Sequence, residues 1–348
     1  MSEFSSRLIA WQKVHGRHDL PWQNTTDPYA IWVSEIMLQQ TQVAAVIGYY
    51  AKFMQRFPDI ETLANATQED VLQYWSGLGY YSRARNLHKA AMTIMVDHGG
   101  KFPQDFDTIQ TLSGIGRSTA AAIASFAFNQ IQTILDGNVK RVLARHFLVE
   151  GWPSHPKIEK ELWARAENLL PEAQMIAYTQ GLMDLGATLC SRSKPKCAEC
   201  PLLDSCEAYQ QQRVHQLPTP KPRKKIPEKN TTMLILMQGD EVMLEKRPPT
   251  GIWGGLWSFP ETEASENLAD LVYKRFGIST EIAQVLPQLS HAFTHFKLHI
   301  QPQALTVLAS NPQVNQSGYL WLNIDGAIGS AIPTPVRKIL QSLKLNLT

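Results

Sequence analysis

The chain has 348 residues, of which 44% are hydrophobic and 18% charged, with a formal net charge of +2. That length exceeds what one hydrophobic core usually organises, so two domains are expected. The balance is that of an ordinary globular protein, and no run of about 18 apolar residues exists that could span a bilayer.

Met1–Val14 mixes polar and apolar residues, which predicts an amphipathic first helix and not a signal peptide, and hence a cytoplasmic protein. Asp27-Pro28 supplies an N-cap and a first-turn proline for a long helix. Apolar residues then recur at helical spacing over Ile31–Met54, Val71–Tyr74, Leu87–Val96, Thr119–Phe128 and Val139–Val149. Up to about residue 214 the chain reads as all-α. Residues 215–230 interleave Pro218, Pro220, Pro222 and Pro227 with Lys221, Arg223, Lys224 and Lys225, which predicts a linker.

Beyond it, Thr232–Met237 and Val242–Leu244 flank Gly239-Asp240, a hairpin signal. Extended segments are expected around Phe296–Ile300 and Ala304–Leu308, with a short helix at Leu268–Arg275. The C-terminal third is therefore a small α/β domain. Three basic clusters stand out: Arg83, Arg85 and Lys89; Lys140, Arg141 and Arg145; Arg192, Lys194 and Lys196. Solvated helix faces are the ordinary use of such clusters, and phosphate contact is the functional one.

Four motifs carry chemistry. The cysteines Cys190, Cys197, Cys200 and Cys206 fall in one short segment with six, two and five residues between them. In a cytosolic chain such spacing favours metal over disulfides, and four sulfur ligands suit zinc or an iron–sulfur cluster equally. Leu112-Ser-Gly114-Ile-Gly116-Arg-Ser118-Thr-Ala120 places two glycines before an apolar helix, where backbone N–H groups can face an anion. Glu35 shares a mostly apolar helix face with Ile31, Leu38, Gln42 and Val46, a setting that raises a carboxyl pKa and suits a general acid. Asp136 precedes a helix, where an N-cap is the plain reading and an ionised carboxylate is favoured. Two carboxyls pushed in opposite directions are what N-glycoside cleavage needs.

The stretch from Leu20-Pro21-Trp22 through the cysteines resembles the catalytic domain of MutY-type adenine DNA glycosylases, within the endonuclease III superfamily. The cysteine spacing is similar to that superfamily's [4Fe–4S] loop, and the glycine motif resembles its helix–hairpin–helix. The resemblance implies that Glu35 protonates adenine and that Asp136, with Asn138 beside it, stabilises the sugar. It implies lesion-pair and DNA contacts by Gln39, Gln40, Tyr80, Leu112, Gly114, Gly116, Ser118 and Lys140. Lyase-competent relatives carry a lysine where Ser118 stands, and a hydroxyl cannot form an imine.

Arg247-Pro-Pro-Thr-Gly251-Ile-Trp253-Gly-Gly-Leu-Trp257-Ser-Phe-Pro260 resembles the opening of a Nudix (MutT-like) fold. The paired metal-binding glutamates of a Nudix hydrolase are replaced over Leu271–Gly277. In the MutY family this domain checks for 8-oxoguanine, and the matching segment is Phe293-Thr294-His295, with threonine where serine is usual. The implied fold is an all-α helix–hairpin–helix glycosylase domain with an iron–sulfur loop (1–214), a linker (215–230) and a Nudix-like domain (231–348). Within the first, residues 27–135 form the six-helix module, and 1–26 with 136–214 the iron–sulfur module. The implied function is monofunctional excision of adenine opposite 8-oxoguanine or guanine in double-stranded DNA, by a monomeric, nucleoid-associated enzyme. The rivals are a bifunctional endonuclease III-like lyase and a non-catalytic, redox-sensing DNA-binding protein.

Overall fold

Capping and amphipathic spacing set the helices along the first two-thirds of the chain. In this computed structural model, which describes residues 2–222, 226–263, 267–310 and 318–347, α1 spans Glu3–His15, α2 Pro28–Leu38, α3 Val43–Arg56, α4 Ile60–Asn65 and α5 Gln68–Trp75. There follow α6 (Ser82–Asp97), α7 (Phe106–Thr111), α8 (Arg117–Phe128), α9 (Gly137–His146), α10 (Pro156–Glu167) and α11 (Met175–Asp184). A π-helical turn, Leu185–Leu189, prolongs α11, and α12 (Glu207–Gln210) follows the cysteines. No helix of the described residues is long and apolar enough to cross a membrane.

Asp27 caps α2 as expected, its carboxylate accepting from the Tyr29 N–H at 3.0 Å with Pro28 in the first turn. The single helix expected over Ile31–Met54 is two. The chain leaves the helix after Leu38, Gln40 takes a left-handed φ of +57°, and α3 starts at Val43. The apolar rhythm runs through this break because α2 is buried on nearly every side, Ile31, Trp32, Ile36 and Met37 included, and α3 buries one side with Val46, Tyr50 and Phe53.

The chain divides into two compact units, Met1–Asn65 with Asn86–Arg223, and Ala66–Arg85 with Lys224–Thr348. In the first, α1 packs on α11, and Gly181 permits the approach: a Cβ there would stand 3.1 Å from Leu8 Cγ and 3.2 Å from Gln12 Cβ. Leu8, Val139, Leu143, Tyr178 and Leu182 share one core with them.

The second unit holds β1 (Glu228–Gln238), β2 (Glu241–Lys246), β3 (Trp257–Ser258), β4 (Glu261–Thr262), α13 (Leu268–Phe276), β5 (Ile278–Val285), β6 (Leu289–Ala292), β7 (Lys297–Ser310), β8 (Tyr319–Asn323), α14 (Ile324–Gly329) and α15 (Thr334–Leu347). The sheet runs β3-β2-β1-β7-β5, with β4 on β1, β6 on β7 and β8 on β2. β1 and β7 are parallel and the remaining pairs antiparallel, so the sheet is mixed. The β1–β2 hairpin turns at Gly239, φ +63°, as its sequence predicts. The two extended segments expected after Phe296 are one strand, β7, running through Pro302. Leu234, Leu236, Met243, Val272, Phe276 and Leu305 form the core between sheet and α13.

The expected linker over 215–230 is narrower at both ends. Leu217 is buried, and Glu228–Asn230 pair with β7. Arg223, Lys224 and Lys225 lie outside the described residues.

Candidate active site

Helix α2 presents Glu35 to a cavity of about 620 Å³ in the first unit, lined also by Trp22, Ile31, Leu38, Val43 and Phe126. Ile31 and Leu38 share the glutamate's face as expected. Gln42 and Val46 do not continue it, because α2 has already ended. No donor among the described residues hydrogen-bonds the Glu35 carboxyl. Burial, and then the negative charge of Asp136, push its pKa up to about 8.

Asp136 caps α9, its Oδ1 accepting from the Val139 N–H at 2.8 Å. Asn138 Nδ2 donates to Oδ2 at 3.4 Å. Burial raises the Asp136 pKa, against the lowering effect of the Val139 and Asn138 N–H groups and of Arg141. The two carboxyls are therefore not pushed in opposite directions, as the sequence suggests, but both upward. Their order survives on physical grounds: Asp136 has donors and a guanidinium to stabilise its anion, whereas Glu35 has an apolar wall and a neighbouring negative charge. Of the two, Glu35 is the one its surroundings favour as the holder of a proton, and Asp136 the one they favour as the anion. Asp136 and Asn138 do not line the cavity themselves; the acids are linked through the field of Asp136.

A bonded path leads from this acid to the cysteine loop. Arg141 Nη2 donates to Asn138 Oδ1 at 2.8 Å and to Gly186 O at 2.7 Å, and its Nε to Cys190 O at 2.8 Å. Gly186 lies in the π-helical turn, where an added Cβ would stand 2.6 Å from Asn138 Cβ. Gly186→Ala should therefore displace Asn138, with a stability loss of about 1–3 kcal/mol and slower base excision; thermal melting and single-turnover kinetics check both.

Arg145 is not the phosphate-facing cation its cluster suggested. It is 2% exposed and donates to the carbonyls of Ser191, Arg192, Val214 and Leu217, and to Cys190 Sγ at 3.3 Å. Arg145→Met would leave these buried acceptors unanswered, so a loss above about 3 kcal/mol is expected in thermal or denaturant melts. Lys140 Nζ is paired with Glu159 at 2.6 Å. Arg83 is likewise buried, donating to Gly79 O at 3.0 Å beneath the Trp75 and Tyr80 rings.

All four cysteines line one small cavity. Burial foremost pushes Cys200 up to about 12, and the other three thiols add to the rise. Thiols that oppose one another's ionisation stand together, and an all-sulfur donor set fits a cluster of positively charged iron. Among the described residues, no set of three or more His, Cys, Asp or Glu closes around a single metal ion.

Gly116 stands at the N-cap of α8 and supplies no side-chain hydrogen bond to it. Gly114 is fixed by geometry, with φ +82° and Asn86 Cβ 2.8 Å from where a Cβ would lie. Gly116 has a negative φ of −92° and open space beside it, so nothing within the chain demands glycine there. Leu112 is buried behind this turn. Gln39 Nε2 reaches Thr119 Oγ1 at 3.3 Å and Gly114 O at 3.5 Å, while Gln40 is exposed. Ser118 Oγ accepts from the Leu135 N–H at 3.0 Å, tying α8 to the segment that ends in Asp136.

In the second unit a cavity of about 710 Å³ gathers Tyr80, Arg85, Trp253, Phe293, Thr294 and His295. Tyr80 is 43% exposed, so it is not a core tyrosine. His295 lies in the turn after β6, not on a strand face, with Thr294 Oγ1 3.4 Å from its Nδ1.

One ion pair behind the wall of the first cavity escaped sequence reasoning. Asp184 is fully buried and receives Arg17 Nη2 at 2.6 Å, Arg17 N at 2.9 Å and Gln180 Nε2 at 2.8 Å. Arg17 and Gln180 line that cavity, and no motif or spacing in the sequence links either of them to Asp184.

Residues 33–168 match the HhH-GPD superfamily of base excision DNA repair proteins, and residues 231–342 match the NUDIX domain. The fold and site thus define a helix–hairpin–helix DNA glycosylase with a Nudix-like domain. A solved thermostable thymine-DNA glycosylase is similar over 60% of this chain and 95% of its own, with 30% identity and a TM-score of 0.54. Endonuclease III in a non-covalent DNA complex shares the fold, at 22% identity and a TM-score of 0.51, over 61% of this chain and 98% of its own. An adenine DNA glycosylase of Buchnera aphidicola subsp. Baizongia pistaciae is 39% identical, covering 98% of this chain and 97% of the relative. That of Homo sapiens is 33% identical, over 98% of this chain and 74% of the relative. The chain belongs to the adenine DNA glycosylase family.

The Nudix match implies bound divalent cations, which the residues here do not fit. Helix α13 offers a single carboxylate, Asp270, whose Oδ2 accepts from Asn267 Nδ2 at 2.6 Å, and then Lys274 and Arg275, of which Arg275 pairs with Glu245 at 2.7 and 2.8 Å. No hydrolase chemistry follows from this domain.

Proposed function

We propose that the protein removes adenine from 8-oxoguanine:adenine and guanine:adenine mispairs in double-stranded DNA, as a monomeric, monofunctional glycosylase. The observation that carries this reading is Glu35, kept protonated at neutral pH by burial and by the charge of Asp136. An adenine nucleotide extruded from the duplex enters the first-unit cavity, at a cost of a few kcal/mol that is least at a mispair. Glu35 gives its proton to a ring nitrogen as the base–sugar C–N bond breaks, and the bonding electrons leave with adenine. Asp136, held by Val139 and Asn138, opposes the positive charge left on the sugar until water adds; the proton that the water sheds restores the Glu35 carboxyl.

DNA is gripped by the backbone around Leu112, Gly114 and Gly116, contacts that position without reading sequence. The open space beside Gly116 supports this. Ser118, Gln39, Gln40, Tyr80 and Lys140 contact the duplex near the mispair, Lys140 exchanging its Glu159 partner for phosphate. Phe293, Thr294 and His295 read the base opposite adenine. Cys190, Cys197, Cys200 and Cys206 would hold a [4Fe–4S] cluster, which closes their loop and adds no reactive group to base removal. Ser118, bonded to Leu135 and unable to form an imine, supports a monofunctional course.

The test is a duplex carrying adenine opposite 8-oxoguanine, followed for abasic product with and without borohydride. Abasic sites without a trapped protein–DNA adduct are expected. No product from folded protein, or efficient trapping, would overturn the reading.

A further inference from the structure

Trp253 has a backbone φ of +55°, a region that suits glycine and strains a bulky ring. A turn needing only that conformation is served by glycine at no steric cost, and this loop uses glycine freely: Gly251 has φ +88° and Gly255 φ +78°. The tryptophan ring must therefore contribute something that offsets its backbone strain.

Its contacts show what. The ring is 6% exposed, with its centroid 5.7 Å from that of His291 and 5.5 Å from that of Phe293. His291 and Phe293 meet edge to face at 4.6 Å, and Phe293 stacks on Phe296 at 4.6 Å. The Phe293 N–H closes the intervening turn by donating to Phe296 O at 2.9 Å. Thr294 and His295, at the tip of that turn, border the second-unit cavity. Trp253 and Tyr80 are the aromatic residues among the described non-glycine positions with left-handed φ, and both border the same cavity.

We propose that Trp253 is a positioning residue for recognition of the base opposite adenine: its ring fixes His291 and Phe293, and so aims the polar atoms of Thr294 and His295 at a purine carrying an added carbonyl. This rests on the partner-base reading above. Discrimination comes from hydrogen bonds at the turn, and its sharpness from the rigidity that the aromatic stack gives the turn.

The experiment compares full-length wild type with Trp253→Gly, Trp253→Leu and Trp253→Phe on duplexes with adenine opposite 8-oxoguanine or guanine. The quantity read is the ratio of kcat/KM between the two duplexes, with single-turnover rates at saturating protein. Trp253→Gly and Trp253→Leu should lower the ratio about tenfold, with the larger loss on the 8-oxoguanine:adenine duplex, and be rescued in large part by Trp253→Phe. Trp253→Gly relieves the backbone strain, so a fall there reports the ring and not the turn. An unchanged ratio, or equal loss on both duplexes, would overturn the proposal while the partner-base reading stands. A wild type without preference between the duplexes would overturn that reading and the proposal with it.

Discussion

Glu35→Gln is expected to slow single-turnover adenine excision by about 10²- to 10⁴-fold, the range of a lost general acid, with duplex binding retained. The amide has nearly the carboxyl's shape but no transferable proton. Wild-type excision should hold up to about pH 8 and fall as Glu35 ionises. Stability gives a second readout with the opposite sign for the variant. A carboxyl whose pKa is raised from 4.5 to about 8 on folding contributes stability that is complete below the unfolded value. That contribution is lost as pH rises through the folded value. The melting temperature of Glu35→Gln relative to wild type should therefore climb between pH 4.5 and about 8 and then level off. Excision at near wild-type rate by folded Glu35→Gln would remove the acid assignment.

Asp136→Asn is expected to lose about 10²- to 10³-fold in the same assay, the scale of removing one electrostatic stabiliser of a developing charge. The substitution is informative because asparagine caps a helix about as well as aspartate. The bond to the Val139 N–H can persist while the charge is gone, so α9 should fold and melt with little change. A large fall in melting temperature that accounts for the lost rate would return Asp136 to the plain role of a cap. Acid should mimic the substitution: as pH drops through the raised Asp136 pKa, the anion is neutralised and excision falls.

Local rules made much of this readable. The Asp27 cap, the Gly239 hairpin and the α13 helix follow from short-range chemistry, and each forms where its residues predict. The break at Gln39–Gln42 was not readable, because no glycine or proline marks it and the apolar spacing of α2 and α3 conceals it. Glu35 was legible as a carboxyl on an apolar face. The coupling of its proton to Asp136 was not, since it depends on residues about a hundred positions apart. Basic clusters misled for a related reason: Arg83 and Arg145 look like surface charge, yet tertiary folding buries both against backbone carbonyls. Arg17 with Asp184 is the same lesson in reverse, a buried pair with no local signature.

The account stands on one coupling, in which the anion of Asp136 helps keep a proton on Glu35. Carbon-13 titration of the Glu35 carboxyl, in wild type and in Asp136→Asn, measures that directly. A wild-type midpoint near 8, moving downward in the variant, is the predicted result. A midpoint at the ordinary 4.5, or one indifferent to Asp136, would contradict it.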